Sequence, residues 1–133
     1  MHTIQLTLLF AGLCTLLQCL LAAMVIARRY QTGILLMDGG DQTLQRRIRA
    51  LGNFSETVPM ALLLMALLEL KGLGTEWILT FGFSLLAGRL LHAYGLVVID
   101  AKPSPLPIRL IGMVLTLAVL SIEAAWCIWY YFQ

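Results

Sequence analysis

The sequence predicts an all-α integral membrane protein, one domain over residues 1–133 folded as a four-transmembrane-helix bundle. Composition is the first reason. The chain is 60% hydrophobic and 12% charged with a mean hydropathy of +0.88, against about 45–50% and about 25% in soluble domains. A soluble domain of 133 residues has too little interior to hide that much apolar surface from water. The second reason is spacing. A bilayer core of about 30 Å takes roughly 20 helical residues to cross, and four apolar stretches of that length follow one another. The third is the distribution of Lys and Arg, which cluster at one end of the predicted bundle.

The four helices are predicted over about residues 4–27, 45–71, 76–99 and 108–132. The first carries no charge from Ile4 to Ala27 and stops at Arg28-Arg29. It has no basic leader, is too long for a signal-peptide core and is followed by three more spans, so it reads as a true helix. The second contains Glu56 and Glu69 and ends at Lys71-Gly72-Leu73-Gly74. The third contains Arg89 and His92, and the fourth contains Glu123 and closes in Trp126, Trp129, Tyr130, Tyr131 and Phe132. That aromatic cluster fits an interfacial belt. Gly33 and Asp38-Gly39-Gly40-Asp41 mark the first loop as turn-rich. Lys102-Pro103-Ser104-Pro105-Leu106-Pro107 predicts a stiff third loop, because proline fixes φ and lacks an N–H.

Seven cations lie at one end: Arg28, Arg29, Arg46, Arg47, Arg49, Lys102 and Arg109. The other end has Lys71 alone. The positive-inside rule then puts loops one and three in the cytoplasm and both termini on the far side. The net charge of +2 follows from this bias and makes no case for nucleic-acid binding. Cys14, Cys19 and Cys127 have neither disulfide nor metal spacing and read as small packing residues. There is no CxxC, HExxH or Gly-rich phosphate loop, so no metal is expected.

The chemistry concentrates in "RRIRALGNFSETVP", residues 46 to 59. At about 100° per residue, Arg46, Arg49, Asn53 and Glu56 fall within an arc of about 80° on the second helix. Two cations, an amide and a carboxylate thus form one column climbing from the cytoplasmic interface. An ionised side chain costs too much to face lipid, so the column must face other helices or a wet cleft. Arg89 and His92, three apart, share a face of the third helix. Glu56 is the expected counter-ion of Arg89. Glu69 is expected to reach for the interface, and Glu123 has no evident partner. Arg109 opens the fourth helix on the Arg-rich side. Such an excess of Arg suits an anion, because guanidinium forks onto carboxylates and phosphates. Glu56 adds a place for an ammonium. A small zwitterion with excess negative charge, paired with a lipophilic molecule from the bilayer, is the ligand chemistry these residues predict.

The pattern Arg46-x-x-Arg49-Ala50-x-x-Asn53-x-x-Glu56-x-x-Pro59 resembles the MAPEG family, the membrane-associated proteins in eicosanoid and glutathione metabolism. "VIARR" (25 to 29), "GRLLHAYG" (88 to 95) and "PIRLIGM" (107 to 113) resemble the end of that family's first helix, its third-helix motif and the start of its fourth. The resemblance implies a homotrimer that binds glutathione as co-substrate between neighbouring subunits, near the cytoplasmic side. It implies glutathione-binding roles for Arg28, Arg29, Arg46, Arg49, Asn53, Glu56, Arg89 and His92. It assigns the catalytic role, activation of the thiol, to Arg109. The implied activity is a glutathione transferase or peroxidase acting on lipophilic electrophiles, in a bacterial inner membrane or a membrane of the endoplasmic-reticulum type. Thr57 stands where one branch of the family has a tyrosine, and Leu96 where some members have another.

Two other functions compete. One is a non-catalytic lipid-binding or scaffold protein of the same fold, against which Arg49, Asn53 and Glu56 stand together. The other is a small multidrug exporter, which calls for an acid in the first helix, and Ile4 to Ala27 has none.

Overall fold

A computed structural model of the chain describes residues 4–99 and 108–133. The predicted third loop, Lys102 to Pro107, lies outside the described residues. The four helices are α1 (Gln5–Thr32), α2 (Gln42–Leu70), α3 (Thr75–Tyr94) and α4 (Ile108–Tyr131). Each is long and apolar enough to cross a membrane. α3 runs on into one π-helical stretch, Gly95–Ile99. No strand occurs among the described residues.

α1 and α2 are both longer than the apolar pattern foretold, because capping rather than hydropathy sets their ends. α1 continues through Arg28 and Arg29 to Thr32. There Gly33 takes a left-handed φ of 70° and its N–H donates to the Arg29 carbonyl at 2.8 Å. α2 starts at Gln42 because Asp41 caps it, accepting from the Leu44 N–H at 2.6 Å. The same carboxylate takes a fork from Arg28, Nη2 to Oδ2 at 2.7 Å and Nε to Oδ1 at 3.2 Å. Asp41 is thus held below the usual carboxylate range, first by the Arg28 guanidinium and then by the Leu44 N–H. Pro59 sits inside α2 without ending it.

Around the bundle the order is α1, α2, α4, α3, with α2 and α3 also meeting across the middle. α1 and α4 occupy opposite corners, and their described backbones do not meet. The closest pairing is α3 with α4, and two glycines make it possible. A Cβ on Gly88 would lie 2.9 Å from the Thr116 hydroxyl and 3.0 Å from the Gly112 carbonyl. A Cβ on Gly112 would meet the Gly88 carbonyl and, at 2.6 Å, the His92 N–H. In lipid there is no hydrophobic force between helices, so this backbone contact is what gathers dispersion energy.

The interior has two layers. Phe54, Val58, Leu85 and Leu96 fill the Arg-rich half, and Phe10, Met65, Ile78 and Phe81 fill the aromatic half. Glu69 does not reach for the interface as expected. It turns inward and accepts from the Leu6 N–H at 2.9 Å, the Thr7 N–H at 2.8 Å and the Thr7 hydroxyl at 2.6 Å. The physical reason is that α1 has no side-chain cap of its own at Ile4. Leaving such donors unpaired away from water costs about 1–3 kcal/mol each. Arg47 ties the same two helices at the other end, donating to the Met24 carbonyl at 2.7 Å.

Candidate functional site

Arg49, Asn53 and Glu56 of the polar column on α2 face a groove between α2 and α4 whose floor is α3. A cavity of ≈ 250 Å³ there is lined by Arg49, Asn53, Glu56 and Thr57 from α2, Arg89 and His92 from α3, and Met113, Thr116 and Leu117 from α4. A second cavity of ≈ 440 Å³ shares Arg49, Asn53, His92 and Met113, and adds Leu96, Arg109 and Leu110. Burial is graded across this space. Arg49, Glu56 and Arg109 are exposed at the rim, Asn53 and Thr57 are half-buried, and Arg89 and His92 are buried at the floor. Sequence, helix phase and helix packing thus bring Arg49, Asn53, Glu56, Arg89, His92 and Arg109 to one place.

The hydrogen bonds define which groups remain available. His92 Nδ1 lies 3.0 Å from the Arg109 carbonyl, which can only accept, so Nδ1 carries a proton. In the neutral ring Nε2 then accepts from Asn53 Nδ2 at 2.9 Å. One imidazole therefore ties α2, α3 and α4 together. It also turns the Asn53 carbonyl oxygen away as the amide's remaining acceptor.

Arg89 does not form the expected ion pair with Glu56. Its Nη1 donates to the Asn53 carbonyl at 3.2 Å and to the Thr57 hydroxyl at 3.3 Å. Depth separates the pair: Arg89 is only 3% exposed, whereas Glu56 stands at the exposed rim of the same cavity. The ion pair found among the described residues is Arg28 with Asp41.

Three of the predicted site residues are placed elsewhere. Arg28 is engaged by Asp41, and Arg29 Nη1 donates to the Ile34 and Leu35 carbonyls at 3.2 and 2.9 Å. Both shape the first loop. Arg46 is half-buried and lines neither cavity, because it sits one turn nearer the start of α2 than Arg49. Sequence reasoning missed Thr57, Met113, Thr116 and Leu117. Thr57 was findable, since about 100° per residue places it about 20° from the Arg46 direction and about 40° from Asn53. Thr116 is marked by Gly112-x-x-x-Thr116, a small-residue spacing on α4. No group of three or more potential metal ligands occurs among the described residues.

Fold and site together define a multi-pass integral membrane protein, a four-helix bundle with a cation-rich pocket opening between two of its helices. The MAPEG family profile matches residues 7–129, and the chain belongs to the MAPEG family. It is similar to the inner membrane protein YecN of Escherichia coli strain K12, 40% identical over 87 residues. That match spans 65% of this chain and 66% of YecN, just under two thirds of the relative's length. YecN of the O6:H1 strain matches to the same extent. No solved structure matches the chain significantly.

Proposed function

We propose that this protein binds glutathione in the α2–α3–α4 pocket and transfers it to lipophilic electrophiles drawn from the bilayer. One observation carries the reading: three guanidinium groups, a carboxylate, an amide and an imidazole converge on a single space that also has an apolar wall. The two adjoining cavities are on the scale of small-ligand sites, about 300–1,000 Å³. Glutathione has two carboxylates, an ammonium, two amides and a thiol. Arg49 at the rim suits its carboxylates, Glu56 suits its ammonium, and the Asn53 side-chain oxygen suits an amide N–H.

A free thiol has a pKa near 8.5 and is a poor nucleophile until ionised. Cationic surroundings hold the thiolate, each unit of pKa being worth about 1.4 kcal/mol. The family resemblance gives that task to Arg109. The thiol proton leaves to water, and the thiolate sulfur bonds to the electrophilic carbon. A leaving group departs with its electron pair, or a double bond takes the pair and then a proton. No metal is required for this step.

The same reading assigns the protein to a bacterial inner membrane as a homotrimer, with both termini outside and the pocket facing the cytoplasm. Support for it comes from the family, the YecN likeness and the bias of Lys and Arg. The test is calorimetry of glutathione with the purified protein. Wild type is expected to bind, and Arg49→Ala or Glu56→Ala to lose binding while melting as wild type does. A charged hydrogen bond is worth about 1.5–3 kcal/mol, so each loss is at least about tenfold. Undiminished affinity in both folded variants removes this site.

A further inference from the structure

The loop between α1 and α2 turns apolar side chains outward. Leu35 is 85% exposed, Leu36 83% and Met37 81%, against 69% for Leu16, the most exposed leucine on a described helix. The loop is built to hold them there. Gly33 leaves α1 in the left-handed region, and Arg29 Nη1 pins the Ile34 and Leu35 carbonyls at 3.2 and 2.9 Å. Ile34 is folded under and half-buried against Gly39, where a Cβ would lie 2.8 Å from its Cδ1. Asp38 closes the turn, its carboxylate accepting from the Gly40 N–H at 3.1 Å and its carbonyl from the Asp41 N–H at 2.9 Å. Between these ties Met37 takes a φ of 56°, the one positive φ on a non-glycine among the described residues. Methionine has no local reason to adopt that conformation. The backbone is strained while it presents three apolar side chains, an arrangement that water alone disfavours.

We propose that residues 35–37 form an interfacial anchor, which lies among the lipid headgroups at the Arg-rich end and dips its three side chains toward the acyl chains. Three observations select lipid as the occupant. The first is depth. The uncharged part of α1 ends at Ala27, and Thr32 lies about 7–8 Å further along the axis. The headgroup layer on each side of a bilayer is about 5–8 Å thick, so the loop leaves α1 at the level of the lipid surface. The second is the side from which it leaves. Tyr30 is 87% exposed, one turn beyond the exposed Ile26 and about 40° around the helix from it, where an interfacial aromatic belongs. The third is charge. Arg28 and Arg29 precede the loop and Arg46 and Arg47 follow it, against Asp38 and Asp41 within it. An apolar tip with an excess of cations beside it suits a bilayer surface. The anchor also has work to do. α1 and α2 have 28 and 29 residues, about 42 and 44 Å, against a hydrocarbon core of about 30 Å. Holding their joined ends at the surface fixes where that surplus length goes, and with it the depth of Arg49, Asn53 and Glu56 on α2.

The test places an environment-sensitive nitrobenzoxadiazole label on Leu36→Cys, in the chain freed of its native cysteines and reconstituted into vesicles of phosphatidylcholine and phosphatidylglycerol. The label's emission is expected to be blue-shifted from its value in water. It should also be quenched by phosphatidylcholine that carries a nitroxide near the headgroup end of an acyl chain. Adding Leu35→Asp and Met37→Asp is expected to shift the emission back to the red and remove most of the quenching without loss of folding, since aspartate accepts a positive φ. A label that emits as in water, or escapes the nitroxide, overturns the anchor and leaves the tip for a soluble partner. Emission and quenching unchanged by the two aspartates overturn it as well, because the label rather than the loop then enters the lipid. Should the cysteine-free chain not fold, Leu36→Trp in the otherwise native chain decides. Its added fluorescence over wild type is quenched by the same lipid if the anchor holds, and unquenched fluorescence refutes it.

Discussion

Asn53 has two ends, and the protein has already used one of them. Its Nδ2 is engaged by His92, whose other nitrogen is held by the Arg109 carbonyl. The imidazole is thus a strut that sets where two pocket residues stand. His92→Phe keeps an aromatic ring but takes away the acceptor of the Asn53 amide. At about 1–3 kcal/mol for an amide left unpaired, glutathione affinity is expected to fall at least about fivefold, as read by calorimetry. Unchanged affinity would show that the strut does not matter. Glu123 is the opposite case. It is 0% exposed, and neither carboxyl oxygen has a hydrogen-bond partner among the described residues. Burying such a group costs about 1–3 kcal/mol by mutational data, so Glu123→Met should raise the melting temperature. A drop would refute that account. The grouping of Arg49, Asn53 and Glu56 was legible because a helix maps sequence spacing onto direction, whereas Arg46 shares that direction but lines neither cavity. Depth was not legible. The Arg89–Glu56 pairing looked reasonable by charge, yet one residue is buried and the other exposed.

At the level of elements, hydropathy located all four helices but not the ends of α1 and α2. Those ends depend on Gly33 and on Asp41, whose carboxylate caps α2 and grips Arg28. A depressed carboxyl stabilises the fold above its unfolded value of about 3.9, and that contribution vanishes as pH falls through the lower folded value. Asp41→Asn is therefore expected to melt below wild type at neutral pH. The two melting curves should converge as the pH drops below about 3.9. A gap that persists in acid would show that the charge of Asp41 is not the cause. Gly88 and Gly112 let α3 and α4 touch through their backbones, which seats the Arg89 and His92 turn behind the groove. Gly112→Leu should push α3 from α4, lowering the melting temperature and abolishing glutathione binding together. Retained binding would mean that the approach is not needed for the site.

For the whole molecule, two expectations follow from the family and the charge bias. Cross-linking in mild detergent should stop at three subunits, and a predominant dimer would count against the trimer. A cysteine placed at the exposed Leu36 of the first loop, in a chain without its native cysteines, should react with an impermeant thiol reagent from the cytoplasmic side alone. Labelling from the other side would invert the topology.

The sequence by itself determined the membrane as solvent, the four spans, the family and the polar column on α2, because apolar content, span length and helix phase are one-dimensional properties. Only the tertiary structure decided which cations share a cavity. Arg28 went to Asp41, Arg29 to loop carbonyls and Arg47 to Met24. Arg49, Arg89 and Arg109 met around one cavity system. Their separation in sequence says nothing of that, since it depends on how closely α3 and α4 approach and how deep each side chain then lies.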